Sequence, residues 1–309
     1  MTIAAGLIVS RFVHYLALSV LFGGVLFPLY GFAPPQADTQ RVPAWLRALL
    51  LGAGLLAWLS GISWFVFTTG GMSGSLAGVT DPAVLSTMIR DTDFGRVWVL
   101  RVLLATGLIL LLLPARLSGW RFHAVLFGSL ILLASIALTG HAGSDESPAG
   151  LRYLIADAFH LVAAGVWIGA LVVFARLVTI SLDGLRDDDL QILHHALARF
   201  SGVGTVVVAV LVLTGLMNPG FFSASLKTTY TQILLAKLAM FVAMLLLAAA
   251  NRFRLTPRLA AALNSTSELR AAVGALRTSL LAETALAILV LAAVAWLGTL
   301  SPLDAEASG

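Results

Sequence analysis

The chain has 309 residues, 59% of them hydrophobic and 11% charged, a formal net charge of +4 and a mean hydropathy of +0.97. This excludes a soluble globular domain and a disordered polyelectrolyte, and leaves a membrane protein that crosses the bilayer several times. There is no cysteine, which removes disulfides, thiolate metal sites and iron–sulfur clusters together.

Apolar runs long enough to cross about 30 Å of hydrocarbon fall at residues 5–30, 46–67, 96–113, 121–140, 154–175, 200–217, 230–250 and 279–300. Span 1 has no basic residue ahead of it and carries Arg11 inside it, so it lacks the charged start of a secretory signal and is expected to remain as a true spanning helix. Each run is rich in Leu, Val and Ala without the ten-residue alternation of a barrel, and helices satisfy their own backbone hydrogen bonds in lipid. The fold class expected is all-α, with eight transmembrane helices.

Charge sets the expected orientation. The loops after spans 1, 3, 5 and 7 hold Arg41, Arg47, Arg116, Arg121, Arg176, Arg186, Arg199, Arg252, Arg254, Arg258, Arg270 and Arg277, against Arg11, Arg90, Arg96, Arg152 and Lys227 on the other side. By the positive-inside rule the odd loops are cytoplasmic, so both termini and the loops 68–95, 141–153 and 218–229 are expected to be periplasmic.

The chain also repeats itself. FVHYLALSVLFGGVLF in span 1 aligns with FHLVAAGVWIGALVVF in span 5 when His14 is set on His160, and Gly23 then falls on Gly169. At nearly the same offset TGGM (Thr69 to Met72) falls on TGLM (Thr214 to Met217), Phe94 on Tyr230 and Arg101 on Lys237. The matches keep their order, which predicts two four-helix halves of the same orientation, 1–140 and 141–309, related by an axis along the membrane normal. His14 and His160 then lie at matching depths near the outer surface.

Ionisable groups inside such runs are expensive and mark candidate sites. Asp157 and His160, spaced i, i+3, share a helix face, where the carboxylate either caps the helix, orients the imidazole or helps neutralise a cation. His141 follows span 4 in TGHAGSDESP, and Met72 and Met217 end spans 2 and 6. His14, His141, His160, Met72, Met217 and Asp157 form a candidate metal set whose imidazole and thioether groups suit copper better than magnesium or calcium. Arg101 and Lys237, buried cations at similar depth, need anions: Asp91, Asp93 and Asp157 are candidates. The propionates of a haem b held by His14, His141 or His160 are the rival reading. Glu283 in span 8 is expected to pair structurally with Arg277 or Arg252. His194 and His195, after RDDDL (Arg186 to Leu190), read as a solvated segment with an exit-side metal contact as the alternative; His123 lies beside Arg121 on the cytoplasmic side.

Several motifs together resemble the CopD/PcoD family of bacterial inner-membrane copper-resistance proteins. They are GHA (Gly140 to Ala142), HLVAAGVWIGAL (His160 to Leu171, with Trp167), RFS (Arg199 to Ser201), Thr214-Gly215, TYxxxLLxK (Thr229 to Lys237), Asn251-Arg252, Glu283 and DTDFGRVWVLR (Asp91 to Arg101). The family's Tyr-Gly at the start of span 7 reads Tyr230-Thr231 here. The resemblance implies movement of copper ions from periplasm toward cytoplasm alongside a periplasmic copper-binding protein of CopC type, with no nucleic acid involved and a homo-oligomer left open. No nucleotide-binding motif is present, so a gradient or a partner would supply the driving force. An enzymatic, oxidoreductase role enters only with haem.

Overall fold

The computed structural model describes residues 2–32, 42–139, 148–184, 187–217, 228–263 and 266–300. His141, with Asp145 and Glu146, lies outside the described residues. Ten α-helices follow in order: α1 (Ile3–Leu26), α2 (Ala44–Ser73), α3 (Pro82–Asp91), α4 (Asp93–Leu112), α5 (Trp120–Ala134), α6 (Pro148–Gly184), α7 (Asp187–Leu216), α8 (Thr229–Ala250), α9 (Thr256–Ala262) and α10 (Thr266–Leu297). Eight helical stretches are long and apolar enough to cross a membrane. The fold is all-α and polytopic, with no strand among the described residues.

Two differences from the sequence reading have local causes. The segment after span 2 is not a bare loop: α2 runs on to Ser73, and α3 forms because Asp81 accepts a hydrogen bond from the Ala83 amide (2.8 Å) ahead of Pro82 at the first helical position. Thr92 then accepts from the Gly95 amide (3.0 Å) and starts α4. Span 5 begins at Pro148, so Asp157 lies nine residues inside α6 and cannot be its cap. Between α8 and α9 the helix widens into a π turn, Asn251–Leu255, a form that tends to mark functional positions.

Helices α1 and α6 form the centre. Leu18, Leu21 and Val25 on α1 and Ala170, Leu171, Val173 and Phe174 on α6 are buried, whereas Leu100, Leu103, Leu110, Phe127, Ile131, Leu213 and Leu246 on the peripheral spans face outward. A helix apolar all round belongs inside a bundle, and an apolar outer surface belongs in lipid.

The two central helices meet at glycines. A Cβ on Gly23 would stand 2.1 Å from the Gly165 carbonyl oxygen and 2.8 Å from Gly169 Cα, and one on Gly169 would stand 2.5 Å from Gly23 Cα. Ser19 faces Gly165, and the Phe27 and Phe174 rings meet edge to face at 5.3 Å. These pairs advance along both helices in the same direction, so α1 and α6 run parallel. At the bundle's end, the Arg11 guanidinium donates to the Gly298 carbonyl, which ties the start of α1 to the end of α10 and puts both on one face, as an even number of crossings requires.

Candidate functional site

His14 stands nine residues before Gly23 and His160 nine residues before Gly169, so each lies about 13 Å along its helix from the crossing. Their depths relative to the α1/α6 contact therefore match. Each imidazole presents Nδ1 to a hydroxyl on the next span: His14 to Ser60 Oγ (3.1 Å) and the Ala57 carbonyl (3.0 Å) on α2, and His160 to Thr214 Oγ1 (2.9 Å) on α7. A cation from the third span of the same half acts on each, Arg101 on His14 and Lys237 on His160.

The carbonyl of Ala57 can only accept, so Nδ1 of His14 carries the proton and Nε2 carries a lone pair. That Nε2 is buried and has no hydrogen-bond partner. It sits in a cleft lined by Trp58, Trp64, Phe94, Trp98 and Arg101, with room for about one water molecule. An imidazole locked by one nitrogen with the other left bare is how metal-binding histidines are commonly held.

Arg101 is buried and has no carboxylate partner among the described residues. It donates from Nε to Ser135 Oγ (2.8 Å) and from its fork to the Ser135 carbonyl and Thr139 Oγ1, and its guanidinium lies 5.7 Å from the Trp64 ring centre. Arg11 stands on the same indole at 5.2 Å. The expected partner Asp93 pairs instead with Arg96 at 3.4 Å on the surface. Loops of neutral oxygens and an indole face do the work expected of an anion, because α5 tightens into a 3-10 turn over Ser135–Thr139 that aims its carbonyls at α4.

In the second half Asp157 takes the anion's part. Asp157 and Lys237 act on each other electrostatically, with no ion pair between them among the described residues. The hydrogen-bond partner of His160 is thus Thr214. Met72 and Met217 are exposed, at 68% and 47%, and lie outside the His14 cleft. No group of three His, Asp or Glu side chains gathers at metal-binding distance among the described residues. The structure thus places two separate histidine sites in register, with the methionines at the helix ends.

Sequence matching also misplaced one equivalence. Thr69 was set on Thr214, yet Ser60 serves His14 as Thr214 serves His160, while Thr69 is buried with its hydroxyl unpartnered. Only depth, which depends on where each helix starts, separates the two choices. Glu283 is likewise not paired with arginine: its Oε1 accepts from Trp167 Nε1 (2.7 Å) and its Oε2 from Asn251 Nδ2 (2.8 Å). Arg252 donates instead to the Ser201 carbonyl and Thr205 Oγ1. His194 and His195 lie on α7, half-buried.

Two family patterns cover most of the chain: "Copper resistance protein D-like, N-terminal domain" matches residues 1–151 and "Copper resistance protein D" matches residues 194–297. Copper resistance protein D of Pseudomonas syringae pv. tomato is 34% identical over 304 residues, spanning 96% of each chain. The chain belongs to the copper resistance protein D family. Copper transport protein CutJ of Bacillus subtilis is 28% identical over 79% of this chain and 46% of its own length, and inner membrane protein YebZ of Escherichia coli is 29% identical over 82% of this chain and 85% of its own. No solved structure matches. Among the motifs that carried the resemblance, His160, Trp167, Thr214, Asn251 and Glu283 all take part in the hydrogen bonds of the second half described above, as Arg101 does in those of the first.

Proposed function

We propose that the protein is a multi-pass inner-membrane copper carrier, which accepts copper ions on its periplasmic side and passes them toward the cytoplasm. The observation that carries this reading is the similarity over 96% of the chain to a protein named for copper resistance, joined by relatives named for copper transport and for the inner membrane. The chain divides into halves 1–140 and 141–309, each with one histidine poised at the same depth, and both termini face the periplasm.

In this reading the bare Nε2 of His14 is the first ligand of the first half and His160 that of the second. Met72, Met217 and His141 act at the outer ends as weaker, exchangeable ligands that hand copper inward, and Asp157 adds negative charge beside His160. Nitrogen and thioether donors without thiolate bind copper loosely enough to release it, which suits a carrier. A periplasmic copper-binding protein of CopC type is the natural donor. The protein is read as a carrier and not an enzyme.

The deciding experiment is copper uptake by proteoliposomes of the purified protein, with elemental analysis and an absorption spectrum of the same preparation. Uptake lost in a His14→Ala, His160→Ala double variant supports the reading. A stoichiometric Soret band with no copper bound or moved overturns it.

A further inference from the structure

A cleft between α6, α7, α8 and α10 takes no part in the histidine sites. Its empty space, mouth included, is about 890 Å³, and Trp167, Phe200, Thr205, Asn251, Arg252 and Glu283 are among the residues lining it. Glu283 is the one carboxylate among the fully buried described residues, at 2% exposure. Asn251, 7% exposed, gives its amide Nδ2 to Glu283, while its Oδ1 is buried with no partner. One turn earlier on the same face of α10, Ser279 Oγ is also buried without one.

The elements packed on α10 carry Arg11, His14 and Tyr15 on α1, Arg152, Tyr153, Asp157, His160 and Arg176 on α6, Tyr230 and Lys237 on α8, Arg252 and Arg254 in the π turn and Arg258 on α9; α10 itself carries Glu268, Arg270 and Arg277. Of these only Arg252 lines the cleft, and its guanidinium is engaged by Ser201 and Thr205. Among the described residues Glu283 is therefore held by two neutral donors and by no cation.

That arrangement serves both forms of a carboxyl group. Ionised, Glu283 accepts from the indole and the amide, as seen. Protonated, its Oε2–H needs an acceptor, and a half-turn of the Asn251 amide supplies Oδ1 at the same place. The indole N–H can keep donating to Oε1 throughout. A leucine or lysine at 251 could serve at most one form, and an unpaired carboxylate in an apolar bundle is costly. The π turn begins at Asn251 itself, a form that tends to mark functional positions.

We propose that Glu283 and Asn251 form a reversible proton-binding site, filled and emptied by water through the cleft. The proton adds to Oε2 on uptake and leaves from it on release, with no other reactant. The role deepens the copper reading and rests on it: a proton exchanged here lets a proton gradient drive movement of the metal cation. Protonation of Glu283 itself does not depend on copper.

The test is infrared difference spectroscopy of the full-length protein in nanodiscs, stepped between about pH 5 and pH 9, on the wild type and on Glu283→Gln. The glutamine keeps an acceptor for Trp167 and, with the Asn251 amide turned, donates its own NH2 to Asn251 Oδ1, and folding is checked by gel filtration. Expected is a protonated-carboxyl C=O band that titrates across this range and is missing from E283Q, with its frequency shifted in Asn251→Ala. The same band in both proteins, or none in either, overturns the proposal. So does loss of the band on adding sodium or copper at fixed pH, which would make this a metal-cation site. In copper-loaded proteoliposomes, E283Q is expected to lose the part of uptake stimulated by a pH gradient and to keep the part driven by copper concentration. If the wild type moves no copper under any gradient the copper reading fails, while the infrared band still decides the proton site.

Discussion

Asp157 on α6 and Lys237 on α8 feel each other's charge without closing into an ion pair among the described residues. His160, one turn along α6 from Asp157, feels Lys237 too. Removing either charge strands the other in the bundle, whereas removing both removes the conflict. Asp157→Asn is therefore expected to destabilise the protein by about 1–3 kcal/mol, and Asp157→Asn with Lys237→Met by less than the sum of the single effects. Unfolding of the four proteins of the cycle in detergent checks this; strict additivity would mean the two side chains are independent.

The glycine contact predicts a size limit. Gly23→Ala and Gly169→Ala each push a methyl against backbone and should each cost about 1–3 kcal/mol or more. Gly52→Ala, with nothing within 4 Å of its new Cβ, should be neutral or slightly stabilising because alanine favours helix. Thermal denaturation of the three variants in one detergent separates packing from propensity.

Copper retention should depend on His14 and His160. His14→Ala and His160→Ala are each expected to lower bound copper well below His194→Ala, because His14 has a bare buried nitrogen and His160 matches it in depth and in its neighbouring cation, whereas His194 has neither feature. Equilibrium dialysis with elemental analysis reads the difference, and equal retention in all three would remove both sites.

The absence of cysteine makes orientation directly measurable. Met72 is exposed at the end of α2, and Arg116 is exposed in the next connection but one. A membrane-impermeant maleimide added to right-side-out vesicles should label Met72→Cys, and should label Arg116→Cys only after the membrane is opened. The reverse pattern would invert the protein and the proposed direction of copper.

Arg101→Lys should cost about 1–3 kcal/mol although charge is kept, since an ammonium cannot reach Ser135 Oγ, the Ser135 carbonyl and Thr139 as one fork. Comparing it with Ser135→Ala, which removes one acceptor and leaves the carbonyl, shows how much of the clamp is backbone.

The eight spans were readable because hydrocarbon thickness fixes a run length, and the internal match of His14 with His160 was readable because parallel halves must repeat their polar positions at one offset. Partners were harder. Nothing in the sequence near Arg101 signals that Ser135 and Thr139 replace an aspartate, since the replacement comes from a 3-10 turn at the far end of another span. Glu283 attracted arginines on paper because charge is visible in a sequence, whereas Trp167 and Asn251 reach it only after α6, the π turn and α10 have packed. Asn251-Arg252 and Trp167 were already picked out by the resemblance, so their residues were legible and their meeting was not.

A surface patch that is its own partner under a twofold rotation is the isologous geometry of a symmetric dimer. Gly23 meets Gly169, and each is the other's counterpart in the opposite half. In the two-half layout proposed above, the single polypeptide is a pair of linked subunits, and linkage removes the obligation for both to stay alike. One subunit clamps its arginine with serine and threonine and leaves a bare imidazole. The other sets a carboxylate against its lysine and opens a cleft around a second, buried acid. A true dimer of identical chains could hold only two copies of one such arrangement, so here fusion itself is what lets one interface serve two chemistries.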